Sequence, residues 1–168
     1  VVVLAAGSVR AGDGRIEIGQ HMMPYVITNS GSYVLTENLV VTNDHANGIT
    51  VNASNVAVDL NGFILSSTSG TNSGGGIVLP QEFRNLSVCN GSIVGWAGSN
   101  GISAVGQNTR VDGVTVRGNG MGICLYDRAI YGGGIVSHCI AVSNIHNGII
   151  VAEGLVVDCA AWGNGAVG

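Results

Sequence analysis

The chain has 168 residues, a formal net charge of −4, 28 glycines and only 2 prolines. Charged residues make up 10% of it, against about 25% in an ordinary globular domain. Six basic residues in no cluster argue against nucleic acid, whose phosphates need a cationic surface, and no apolar run is long enough for a transmembrane helix.

The opening residues Val1 to Ala6 are apolar, and Val9-Arg10-Ala11 has small or aliphatic residues placed as signal peptidase requires. Residues 1–11 therefore read as the tail of a signal peptide. Residues 12–168 are left as one domain, secreted or periplasmic, in a compartment that permits disulfides.

From residue 48 a repeat sets in. Gly-Ile pairs fall at Gly48-Ile49, Gly76-Ile77, Gly101-Ile102, Gly122-Ile123 and Gly148-Ile149, with the isoleucines 28, 25, 21 and 26 residues apart. Each pair opens a short strand whose first and third residues point inward. A second strand follows: Val56–Leu60, Leu86–Val88, Thr109–Val111, Ile135–Ser137 and Leu155–Val157. A two-residue corner comes next, led by Asn61, Asn90, Asp112, His138 and Asp158, residue types that tolerate left-handed backbone. A third strand then returns the chain to a polar turn, with Asn119, Asn144 and Asn164 in equivalent places. Arg117 reads as an insertion that leaves the third coil uncertain by one residue.

No segment sustains a 3.6-residue period, so no crossover helix is available for a βαβ sheet. A β-sandwich would need hairpin turns and would not explain the fixed period. The expected fold is all-β: a right-handed, single-stranded parallel β-helix of five to six coils, a rod on the order of 30 Å long. The last coil closes at residues 160–168 without a polar cap, so the expectation is a domain truncated at its C-terminal end.

The stretch Ile27–Leu39, followed by Gly48–Gly62, resembles bacterial right-handed parallel β-helix repeat proteins of the pectin-lyase-like superfamily. That resemblance implies polysaccharide or cell-envelope glycan as partner, bound along the first strand face. It implies lyase, epimerase or glycosidase chemistry, and calcium by resemblance only. Fold alone does not assign the activity. A non-catalytic surface or adhesion module and a tailspike-like fibre stay open beside it.

The outward residues of the Gly-Ile strands, Thr50, Val78, Ser103, Cys124 and Ile150, include no acid or base. Candidate chemistry therefore falls to the flanking turns. Asp127 as base, Arg128 against a uronate carboxylate, and His146 in the turn before the next strand form the candidate catalytic set. Tyr126, Asp44, His45 and Trp96 are the candidate substrate contacts, with Trp162 a second candidate sugar platform. The four cysteines, 89, 124, 139 and 159, lack metal-ligand spacing. Cys139 and Cys159 share a corner column, and reduced thiols are expected there because parallel side chains do not favour the S–S dihedral.

Overall fold

The computed structural model describes residues 13–70, 73–80, 82–125 and 133–165. Strand β1 (Ile16–Ile18) and a single 3-10 turn at Gln20–Met22 open the fold. Three-strand coils follow. The first comprises β2 (Tyr25–Ile27), β3 (Gly31–Leu35) and β4 (Leu39–Val41), and the second β5 (Ile49–Val51), β6 (Val56–Asp59) and β7 (Ile64–Ser67). Next come β8 (Ile77–Leu79) with β9 (Leu86–Val94), then β10 (Asn100–Ala104) with β11 (Thr109–Arg117). Strands β12 (Met121–Leu125), β13 (Gly133–Ser137) and β14 (Ile140–Val142) precede β15 (Ile149–Val151), β16 (Glu153–Val157) and β17 (Ala160–Trp162).

The result is a parallel β-solenoid of about five turns. The first face is a six-stranded sheet ordered β2-β5-β8-β10-β12-β15. The second and third faces merge into one eleven-stranded sheet, because β9 and β11 run unbroken through the corner.

The isoleucines at 49, 77, 102, 123 and 149 are in register from coil to coil. The first four are fully buried. One coil cannot bury its own isoleucine, and stacking the same position on itself removes the inner layers from water.

The glycine before each of the first four isoleucines has an equally direct cause. A Cβ on Gly48 would lie 2.6 Å from the carbonyl oxygen of Gly76, and one on Gly101 2.8 Å from that of Gly122. At Gly76 and Gly122 it would fall on the carbonyls of Gly101 and Gly148. The backbone of one coil occupies the space of the missing side chain in the next.

Two registers differ from the sequence reading. Asp112 pairs with Cys89 on one side and Ser137 on the other, one step before the corner. Gly113 takes the left-handed corner conformation instead (φ 63°), beside Asn90 (57°), His138 (52°) and Asp158 (51°). Arg117 is not an insertion: it pairs with Val94 and Val142, in step with both neighbours.

The polar turn before the first face carries an internal asparagine ladder. Asn119 Nδ2 donates to Asn144 Oδ1 at 3.1 Å, and Asn144 Nδ2 to Asn164 Oδ1 at 2.9 Å. The same amide groups donate to the carbonyls of Ile93, Val116 and Ala141. Trp96 occupies the equivalent place one coil earlier, where its backbone N–H donates to Asn119 Oδ1 at 3.1 Å. An indole has no acceptor oxygen, so the ladder stops there.

Candidate functional site

The first face is built from β2, β5, β8, β10, β12 and β15, whose inward positions are fixed by the isoleucine column. Period-2 alternation then sends the middle residues outward. They stack as Val26, Thr50, Val78, Ser103, Cys124 and Ile150, one per coil. Val26 is 49% exposed and Cys124 only 6%. The column contains no Asp, Glu, Lys, Arg or His.

One edge of this face is formed by the turns that lead into it. Asn43 Oδ1 accepts the backbone N–H of His45 at 3.0 Å, which shapes the Asn43–His45 turn. His45 Nδ1 lies 2.9 Å from Ser73 Oγ in the next coil, and the Asp44 carbonyl accepts the backbone N–H of Ser73 at 2.9 Å. Asp44, His45 and Ser73 are all exposed. His146 is on this same edge, exposed, with its backbone N–H bonded to the Gly120 carbonyl at 2.7 Å. Four coil steps separate β5 from β15, about 19 Å at the interstrand spacing, so His45 and His146 do not share a site.

The opposite edge is formed by the turns that leave the face. Asn55, Asn85 and Asn108 line it in left-handed conformation, with φ of 59°, 61° and 56°. Asn85 Nδ2 donates to Asn55 Oδ1 at 2.6 Å, and Asn108 Nδ2 to Asn85 Oδ1 at 2.9 Å. The sequence reading missed this ladder, although its signal is visible: each asparagine immediately precedes a second-face strand. Tyr126, Asp127 and Arg128, proposed from the sequence as sugar contact, base and uronate partner, lie outside the described residues.

Trp96 requires a correction. It is fully buried and packs in the core cluster, so it presents no ring face to a sugar. The interior column that holds asparagine in later coils draws its side chain inward. Trp162 is the outward tryptophan, 54% exposed.

A second polar group stands at the corner between the second and third faces. Asp112 Oδ1 accepts from Ser137 Oγ at 2.5 Å and lies 2.9 Å from His138 Nδ1. His138 Nε2 is 3.7 Å from Asp158 Oδ2 in the following coil. The bond from His138, then that from Ser137, holds the Asp112 carboxyl below the usual carboxylate value. The bond to Asp112 and the nearby negative charges raise His138 above the ordinary imidazole value. Among the described residues no three His, Cys, Asp or Glu side chains converge as a metal site.

Beside this corner, Cys139 and Cys159 are free thiols in adjacent coils. Cys139 Sγ donates to the Ser137 carbonyl at 3.1 Å, and Cys159 Sγ to that of Val157 at 3.2 Å. Each sulfur also accepts a backbone N–H from the preceding coil, from Val114 at 3.5 Å and from Cys139 at 3.4 Å. The thiols serve as acceptors where the corner would otherwise strand a donor.

No protein-family model, curated protein or solved structure matches this chain.

Proposed function

We propose that this chain is an exported β-helix of the pectin-lyase-like kind that binds polysaccharide or cell-envelope glycan along its first face. The observation that carries this reading is the outward column Val26, Thr50, Val78, Ser103, Cys124 and Ile150. It is a strip without acidic or basic side chains on a parallel sheet, rimmed by asparagine, serine and histidine turns. An extended sugar chain offers apolar C–H surfaces to such a floor and hydroxyls to such rims. Glycoside hydrolysis normally asks for two carboxyl groups roughly 5–9.5 Å apart, and the column holds none, so the column itself is read as a binding floor.

The test is retention on insoluble pectin, alginate and purified cell-envelope glycan, with release of soluble fragments followed in parallel. Retention is expected without fragment release. Ser103→Arg, which puts a long cation in mid-column, is expected to weaken retention severalfold. Unmodified protein that passes through every matrix overturns the glycan reading. Fragment release that Asp127→Ala abolishes replaces binding with catalysis. Export is tested by N-terminal sequencing of protein recovered from the producing cell, with a mature start at Gly12 expected.

A further inference from the structure

At the N-terminal edge of the solenoid the three faces end in three different ways. On the second face β1 lies along β3, with Ile16, Glu17 and Ile18 in register with Tyr33, Val34 and Leu35. On the first face β2 is the outermost described strand and pairs with β5 alone. On the third face β4 is outermost and pairs with β7 alone.

In a parallel ladder alternate residues of a strand bond to opposite neighbours. The Val41 carbonyl accepts the Thr68 N–H at 3.2 Å, and the Leu39 carbonyl accepts Ser66 Oγ at 3.2 Å, both from the next coil. Val40, between them, therefore turns its N–H and C=O to the open side. Gln20 takes both groups. Its Oε1 accepts the Val40 N–H at 2.6 Å, and its Nε2 donates to the Val40 carbonyl at 2.9 Å. A carboxamide carries an acceptor and a donor side by side, the same pair of groups that an added strand would bring.

The backbone of Gln20 is tied down on both sides of that contact. Ile18 is fully buried, and its carbonyl accepts the Thr36 N–H at 3.2 Å. The Gln20 N–H donates to Glu37 Oε1 at 2.9 Å, and the Gln20 carbonyl accepts the Met23 N–H at 3.2 Å. Strand β2 supplies the contrast. The Tyr25 N–H donates to the Gly48 carbonyl, and the Ile27 carbonyl accepts the Asn52 N–H. Val26 is thus the residue turned to the open side there, and no described strand lies beyond it.

An edge strand with free ladder groups is a template for pairing with another chain, and natural edges are guarded by charges, prolines or a covering segment. Leu39, Val40 and Val41 hold neither a charge nor a proline. We propose that the Gln20 side chain is a one-residue edge strand that closes β4 against pairing with the β4 of a second copy of this chain. Two β4 edges related by a two-fold axis would run antiparallel with Val40 opposite Val40. A hydrogen-bonded antiparallel pair exchanges both N–H···O bonds between the facing residues, and Gln20 holds those same two groups. The closure is independent of what the first face binds.

Gln20→Ala removes both bonds and leaves β4 itself unchanged. Hydrogen exchange followed by NMR at low concentration is expected to show a Val40 amide that is protected in the unmodified protein and exchanges as fast as that of Val26 in the variant. In sedimentation velocity the variant should move towards twice the mass of the unmodified protein as concentration rises, with an unchanged circular dichroism spectrum. Adding Val40→Lys, which puts a charge on the same edge, should reverse the association. If Gln20→Ala does not fold, Gln20→Asn, one methylene too short to reach Val40, carries the same readouts. Unchanged protection of Val40 overturns the proposal, and so does a variant that keeps the mass of the unmodified protein at every concentration. Association that Val40→Lys leaves in place arises elsewhere on the surface and overturns it too.

Discussion

The backbone N–H and the side-chain Nδ2 of Asn119 both donate to one oxygen, Asn144 Oδ1, at 3.1 Å each. Asn144 repeats the arrangement on Asn164, at 3.0 and 2.9 Å. A single amide per coil thus satisfies a backbone donor of the turn behind it and, through the Val116 carbonyl, a backbone acceptor. Asn144→Ala would strand these groups inside the solenoid. Each buried orphan costs about 1–3 kcal/mol, so a loss of about 3 kcal/mol or more is expected in urea unfolding. A loss under about 1 kcal/mol would show that the ladder is decorative.

Gly122→Ala tests the glycine column. The added methyl would meet the Gly148 carbonyl, the Val116 side chain and Asn144 Nδ2. Neither backbone can give way without breaking the pairing of β12 with β15. Overpacking of this kind costs about 1–3 kcal/mol, and the upper end is expected here. Gly70→Ala, where nothing lies within 4 Å, serves as the control and should stay within about 0.5 kcal/mol. Equal effects at the two sites would refute the stacking argument.

His138 predicts a pH dependence. Its raised pKa means that its contribution is fully present below the unfolded value near 6.5 and is lost as pH rises through the higher folded value. The lowered Asp112 contributes above its ordinary value of 3.8 and loses that contribution as pH falls through the folded one. The pair is strongest between about pH 3.8 and 6.5. The thermal midpoint should therefore drop more between pH 6 and pH 9 in the unmodified protein than in His138→Asn, which keeps a residue tolerant of left-handed backbone. Because His138 is exposed, the difference should be small and should shrink in high salt. Identical pH profiles would remove the pair as a stabilising contact.

The thiols predict a reactivity pattern. Burial pushes the Cys139 thiol up to about 11, so almost none is thiolate at neutral pH. Burial raises Cys89 as well. In denaturant without reductant, four thiols per chain should react with Ellman's reagent, and in the native protein Cys139 should be among the slowest. A count of two in denaturant would establish a disulfide and contradict the corner geometry.

Much of the solenoid was legible in the sequence, because stacking imposes the same demand on every coil. An isoleucine that must sit on an isoleucine, and a glycine that must admit the next backbone, leave a repeat that needs no structure to find. The asparagines at 119, 144 and 164 were legible for the same reason, as equivalent positions of a recurring turn. What the sequence could not decide was parity and phase. In Asp112-Gly113 either residue tolerates the left-handed corner, and only the pairing of Asp112 with Cys89 and Ser137 assigns it to Gly113. Strand side chains alternate with a period of two, so one step decides which way each residue faces. Trp96 and Trp162 show the consequence: both sit in short apolar runs, yet one lies at the head of an interior ladder and the other stands outside a strand. The Asp112, His138 and Asp158 contacts likewise join residues 26 and 20 positions apart, a proximity that belongs to the stacked coils and not to the order of residues along the chain.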